Sequence, residues 1–111
     1  MGCPPAHTCR FIVPASSLGI FLWGKNMFDR LERLIGKENL NKLHAKTVAV
    51  IGVGGVGGYV VETLIRNGIE NIIIVDADTI DITNKNRQII ALDSSLNMKK
   101  VDAFEKRIND I

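Results

Sequence analysis

The chain has 111 residues, enough for one small domain, and its 46% hydrophobic content suits a packed core rather than a disordered segment. Its formal charge of +2 is carried by Arg10 and Lys25, in a 26-residue opening without an acid; the other 85 residues balance 12 basic against 12 acidic side chains, so the body has no global bias toward nucleic acid. No run of about 18 apolar residues occurs, which argues against a transmembrane helix and leaves membranes out of the expected partners.

Residues 1–25 differ in composition from the rest. Two of the three prolines and both cysteines fall within the first nine positions, and Phe11 to Trp23 is apolar but broken by Pro14, Ser16, Ser17 and Gly19. A secretory signal with Arg10 as its n-region is disfavoured by those interruptions and by the lack of an A-x-A-like cleavage site. Cys3, His7 and Cys9 lack a fourth ligand and a paired C-x-x-C, so a metal site is not expected. Residues 1–25 are expected to be a non-native or disordered leader, with Met27 opening the coherent chain over 26–111.

From Met27 the pattern is regular. Phe28, Leu31 and Ile35 fall at helical spacing, and Gly36 stops that helix. Leu40 and Leu43 suggest a second short helical turn. Val48-Ala49-Val50-Ile51 is apolar without alternation and reads as a strand buried on both faces. Gly52, Gly54 and Gly57 then give the spacing G-x-G-x-x-G. In a strand-to-helix turn the first glycine permits a sharp bend, the second lets a pyrophosphate approach the backbone, and the third lets the helix pack closely. The helix N-terminus offers free N–H groups and a positive dipole end to a phosphate. In the helix, Val56, Val60 and Leu64 recur every four residues with Val61 and Ile65 beside them, so all are expected in the core. Asn67-Gly68 ends it.

Ile72-Ile73-Ile74-Val75 reads as a second buried strand ending at Asp76. A carboxylate roughly 20 residues after the glycine turn can accept hydrogen bonds from a ribose. Thr79 to Asn86 reads as a loop, and Asn84, Lys85, Asn86, Arg87 and Gln88 place polar and cationic groups just beyond Asp76. Met98, Val101, Phe104, Ile108 and Ile111 mark a last amphipathic helix, with Lys100 near its start. The fold class is α/β and Rossmann-like. It is expected to be truncated after the second βα unit, just before a third strand, because two strands leave the sheet edges open. A dehydrogenase would be the default reading of such a turn, but cations beyond the ribose-binding acid suit a triphosphate attacked at its α-phosphorus. A solvated loop with incidental charges is the plainer alternative.

Gly52-Val-Gly-Gly-Val-Gly, Asp76-Ala-Asp78, Asn84-Lys-Asn-Arg87-Gln88 and Lys100-Val101 together resemble the ubiquitin-activating-type (ThiF/MoeB-like) adenylating superfamily, over about Phe28 to Ile111. Within it the chain is most similar to the bacterial tRNA threonylcarbamoyladenosine dehydratase branch, through Arg33-Leu-Ile-Gly36, Arg66-Asn-Gly-Ile and Asn86-Arg87-Gln88 leading into Ala91. The resemblance implies that Asp76 holds the ATP ribose and that Gly52, Gly54, Gly55 and Gly57 cradle the phosphates. It implies that Asn84, Arg87 and Lys100 contact the phosphates and that Arg33 reaches the partner subunit's ATP in a homodimer. Asp78 lies near the nucleotide, and Gln88 is structural.

The implied reaction uses ATP with magnesium to adenylate the threonylcarbamoyl carboxylate on a tRNA adenosine. Ring closure then expels AMP, in the cytoplasm. The chain departs from the family at Gly58, where serine or alanine is common. It departs again at Asn97 and Lys99, which replace a glycine and a proline before Lys100. The family's magnesium-binding aspartate is expected beyond residue 111, and the 111 residues alone are expected not to turn over. Without a cysteine between Phe28 and Ile111, a thioester mechanism has no nucleophile there. The competing readings are a sulfur-carrier adenylyltransferase of thiamine or molybdopterin synthesis, a non-catalytic nucleotide-binding remnant, and more distantly an NAD-dependent oxidoreductase.

Overall fold

The computed structural model describes residues 26–111, so the expectations for the leader, its signal-peptide reading and the Cys3–His7–Cys9 group lie outside the described residues. Helix α1 spans Asp29–Ile35 and α2 spans Lys37–His44. Gly36 separates them at φ +83°, a left-handed conformation that glycine adopts at no steric cost, and its N–H closes α1 onto the Glu32 carbonyl at 2.8 Å. The second helical turn read from Leu40 and Leu43 is therefore a full two-turn helix. It docks through buried Leu40 and through His44, whose Nδ1 lies 2.9 Å from the Gly68 carbonyl oxygen.

Strand β1 (Thr47–Ile51) and strand β2 (Asn71–Val75) pair in parallel, in register from Thr47 opposite Asn71 to Ile51 opposite Val75. Helix α3 (Gly55–Arg66) is the crossover between them, and Gly68 at φ +97° turns the chain back toward β2. Helix α4 (Lys100–Asp110) closes the described chain. Val61 and Ile65 of α3 and Val101, Phe104 and Ile108 of α4 join Ile72 and Ile74 in one core. The helices approach closely at Gly58, where an added Cβ would stand 3.1 Å from Phe104 Cζ. The departure from serine or alanine at this position therefore matches a tight helix–helix contact. Across the same junction Glu62 accepts hydrogen bonds from Arg107 Nε at 2.6 Å and Arg107 Nη2 at 3.1 Å.

Several expectations change. Strand β1 is buried on one face only: Val50 is buried and Ile51 is 82% exposed. Side chains alternate across a strand, both helices share the core with Val50, Ile72 and Ile74, and no described element covers the face carrying Ala49 and Ile51. In β2, Ile73 and Val75 are likewise only half-buried. On α3, Val61 and Ile65 are core, but Val56 is 81% and Val60 41% exposed. At about 100° per residue, Val56 lies roughly 200° round the helix from Gly58, so it points away from the side that Gly58 packs against Phe104.

The stretch Thr79 to Asn86 is not an irregular loop. Thr79 pairs with Lys99 in an antiparallel bridge, and Ile82–Asn86 forms a 3-10 turn. Helix α4 starts at Lys100 rather than Met98, because Lys99 is extended and paired with Thr79; Asn97 before it turns the chain at φ +67°. Asparagine tolerates that region better than most residues, so Asn97 can do the work of the glycine it replaces.

Candidate functional site

The carboxyl ends of β1 and β2 lie side by side, and the Gly52 N–H donates to the Val75 carbonyl at 2.7 Å. Gly52 then turns at φ +84° and sends Val53 into the core. Gly57 is required by close approach: a Cβ there would stand 1.8 Å from the Gly52 carbonyl oxygen. Gly54 differs, since the nearest atom to an added Cβ is Gln88 Nε2 at 3.8 Å. No side chain caps α3, and its first backbone hydrogen bond runs from the Gly58 N–H to the Gly54 carbonyl at 3.1 Å. The preceding N–H groups of the first turn remain available to an anion, at the positive end of the helix dipole.

Asp76 stands beside this turn, half-buried, with both carboxylate oxygens engaged. Oδ2 accepts the Val53 N–H at 2.8 Å and Oδ1 accepts the Asp78 N–H at 2.8 Å. Each oxygen keeps further acceptor capacity, which a ribose hydroxyl can use.

The segment after β2 brings the other predicted residues to the same end of the sheet. Lys100 is only 5% exposed; its N–H donates to the Asp78 carbonyl at 3.0 Å, and its Nζ lies 3.6 Å from Asp78 Oδ2. The pairing of 78–80 with 97–100 produces this contact. The Ile80 N–H donates to the Met98 carbonyl and the Asn97 N–H to the Ile80 carbonyl, each at 2.8 Å.

Asp81 then organises the 3-10 turn, a role that sequence reasoning missed. Its Oδ1 accepts from the Thr83 N–H at 2.8 Å and the Thr83 hydroxyl at 2.6 Å, while Asn84 Oδ1 accepts the Asp81 N–H at 2.9 Å. These bonds from Thr83 hold the Asp81 carboxyl below the usual carboxylate range. The Asp-x-Thr-Asn spacing is the signal for this capping box.

The turn delivers Arg87 across Gly55, with Arg87 Cγ 3.6 Å from where a Gly55 Cβ would stand. Arg87 Nη1 donates to the Thr83 carbonyl at 3.2 Å and to Asn86 Oδ1 at 2.9 Å. Lys85 faces elsewhere, donating to Asp93 Oδ1 at 2.6 Å, so one of the two loop cations belongs to the fold. That contact keeps the Asp93 carboxyl below its ordinary value. Asn84 serves as a cap through its Oδ1. Gln88 is buried beside Gly54, and its Oε1 has no hydrogen-bond partner among the described residues.

Arg33 is not part of this cluster. It lies exposed on α1 near Asp29, Glu32 and Lys37, and no hydrogen bond or ion pair joins it to the glycine turn among the described residues. Among the described residues, no three His, Cys, Asp or Glu side chains converge as a metal ion would require. No helix there is long and apolar enough to cross a membrane.

Comparison with known proteins places this geometry in context. The ThiF family profile matches residues 28–111. A tRNA threonylcarbamoyladenosine dehydratase from Bacillus subtilis is 51% identical over 86 residues, covering 78% of this chain and 34% of the relative. The Escherichia coli protein of the same name is 36% identical over 87 residues, covering 78% of this chain and 32% of the relative. The crystal structure of the E. coli enzyme in complex with ATP superposes with a TM-score of 0.73 at 35% identity, over 76% of this chain and 35% of that one. The chain thus spans about a third of the length of the curated relatives it matches.

Proposed function

The chain belongs to the ThiF family, and from that premise we propose that it forms the nucleotide-binding part of an ATP-dependent adenylating enzyme acting on tRNA threonylcarbamoyladenosine. The observation that supports the reading is Arg87 lying across Gly55 at the open N-terminus of α3, with Asp76 tied to the Val53 N–H of the same turn and Lys100 beside Asp78, two residues further on. A polyphosphate laid on that turn would meet free N–H groups, with the Arg87 side chain beside Gly55 and Lys100 next to Asp78 as the nearby cations. A nicotinamide dinucleotide has no comparable need for cations beyond the ribose acid.

In this reading the substrate carboxylate attacks the α-phosphorus of ATP and pyrophosphate leaves. Attack within the threonylcarbamoyl group on the adenylated carbonyl then closes a ring and expels AMP. The sum is a dehydration driven by cleavage of ATP. Adenylation suits the second step because a carboxylate oxygen leaves poorly and AMP leaves well. Asp76 receives the ribose. The backbone of Gly52, Gly54, Gly55 and Gly57 admits the phosphates, and Asn84 adds a polar contact. Arg87 and Lys100 oppose the negative charge that grows at the α-phosphoryl oxygens, and the burial of Lys100 strengthens its share of the interaction. Asp78 orients Lys100.

Arg33, remote within its own chain, acts on the site of a second copy in a homodimer. Magnesium accompanies ATP in this reading, and no described residue is assigned as its ligand. Expressed by themselves, the 111 residues are expected to give no ATP–pyrophosphate exchange.

The test is AMP release by the natively expressed protein with ATP and tRNA that carries threonylcarbamoyladenosine. AMP formed in step with loss of the open carboxylate, and not with unmodified tRNA, is the expected result. AMP release that depends on the C-terminal glycine of a small sulfur-carrier protein, and ignores tRNA, would replace this reading by the sulfur-carrier one.

A further inference from the structure

Gln88 is 7% exposed, yet its side chain makes no hydrogen bond within the described residues, and its Oε1 is sealed from solvent without a partner. A buried amide in that state is unfavourable, and an apolar side chain of the same size would pack there without the loss. The other end of the amide shows where it is useful. Nε2 lies 3.8 Å from the position a Cβ on Gly54 would take, at the uncapped start of α3.

We propose that Gln88 is a phosphate-binding residue: its buried amide, aimed at the uncapped N-terminus of α3 beside Gly54, donates through Nε2 to a phosphate oxygen of the bound nucleotide. The proposal rests on the nucleotide-site reading above and assigns to that site a ligand-contacting residue read from the sequence as structural. Two features support it. Gln88 follows Arg87, whose aliphatic stem crosses Gly55, so adjacent residues line adjacent glycines of one turn. Its backbone is also fixed, with the Gln88 N–H donating to the Asn84 carbonyl at 2.9 Å, and burial narrows the room its side chain has to move. Of the two amide orientations, the one that points NH2 at the turn is favoured by an anion there.

The experiment compares ATP, AMP and adenosine binding by calorimetry in the natively expressed protein and its Gln88→Leu variant. Gln88→Leu is expected to weaken ATP and AMP by roughly ten- to hundredfold, the range of a hydrogen bond to a charged group. Adenosine affinity and melting temperature should not fall. An unchanged ratio of ATP to adenosine affinity would overturn the proposal. A readout on the unaltered protein covers the case of a variant that does not fold. The Gln88 side-chain NH2 resonances should shift on addition of ATP or AMP and stay in place with adenosine; no shift with bound AMP would also overturn it. Failure of the unaltered protein to bind any of the three ligands would instead remove the nucleotide-site reading, and this assignment with it.

Discussion

The Val53 N–H and the Asp76 Oδ2 are joined at 2.8 Å, so the turn that ends β1 is tied to the carboxylate that ends β2. Asp76 is therefore a fold residue as well as a candidate ribose ligand. Replacing Asp76 with Ala leaves the Val53 and Asp78 N–H groups without their acceptor. A loss of about 1.5–3 kcal/mol is expected in urea unfolding, the range for hydrogen bonds to a charged group. Amide exchange at Val53 should accelerate in the variant. Unchanged stability and exchange would mean that this carboxylate serves the ligand alone.

The two glycines of the turn should separate cleanly by substitution. Gly57→Ala places a methyl 1.8 Å from the Gly52 carbonyl oxygen, which backbone must yield to accommodate. A loss of several kcal/mol is expected, of order 3 or more by analogy with severe overpacking. Gly54→Ala has room, at φ −82° with no atom nearer than 3.8 Å, and should fold with a melting temperature close to the parent. Its methyl would occupy the face that a phosphate approaches, so ATP binding should weaken. Equal melting temperatures for the two variants would contradict the geometry.

Lys100 combines burial with a place in the first turn of α4, where the helix dipole disfavours a cation. Its carboxylate neighbour, Asp78, is itself largely exposed. Lys100→Met removes the buried charge and leaves Asp78 in water, so stability should hold or rise by about 1 kcal/mol. Nucleotide affinity should fall. A drop in thermal stability of similar size would assign the pair to the fold instead.

The Glu62–Arg107 contact makes a pH prediction. Hydrogen bonds from Arg107 hold the Glu62 carboxyl below its ordinary value, burial opposes them, and Arg66 adds to the lowering. A group lowered on folding contributes stability in full above its unfolded value of about 4.3, and that contribution disappears as pH falls through the lower folded value. The side chain is only 12% exposed, so the bonds are partly shielded from solvent. Glu62→Gln should cost about 1–2 kcal/mol at pH 7, and the gap to the parent should narrow below pH 4. A gap that stays constant from pH 7 to pH 3 would remove the charge from the explanation.

Much of this protein was legible from residue type and spacing. The order of helices and strands, the glycine turn and the carboxylate at the end of β2 follow from local chemistry: β-branched runs extend, and Gly36 and Gly68 stop helices because they reach positive φ. The family signature rests on the same short-range spacing. What spacing could not determine was which side of an element is covered. Val56 and Val61 look alike in sequence, yet one is exposed and the other is core, because only the packing of α4 against α3 and β2 decides which stripe is buried. Nor could it divide the polar residues after β2 between fold and ligand. Lys85 is committed to Asp93, Asn84 caps a turn built by Asp81, and Arg87 and Gln88 reach the glycine turn. That division depends on the pairing of residues 78–80 with 97–100 and on the 3-10 turn between them, contacts set by the folded chain as a whole.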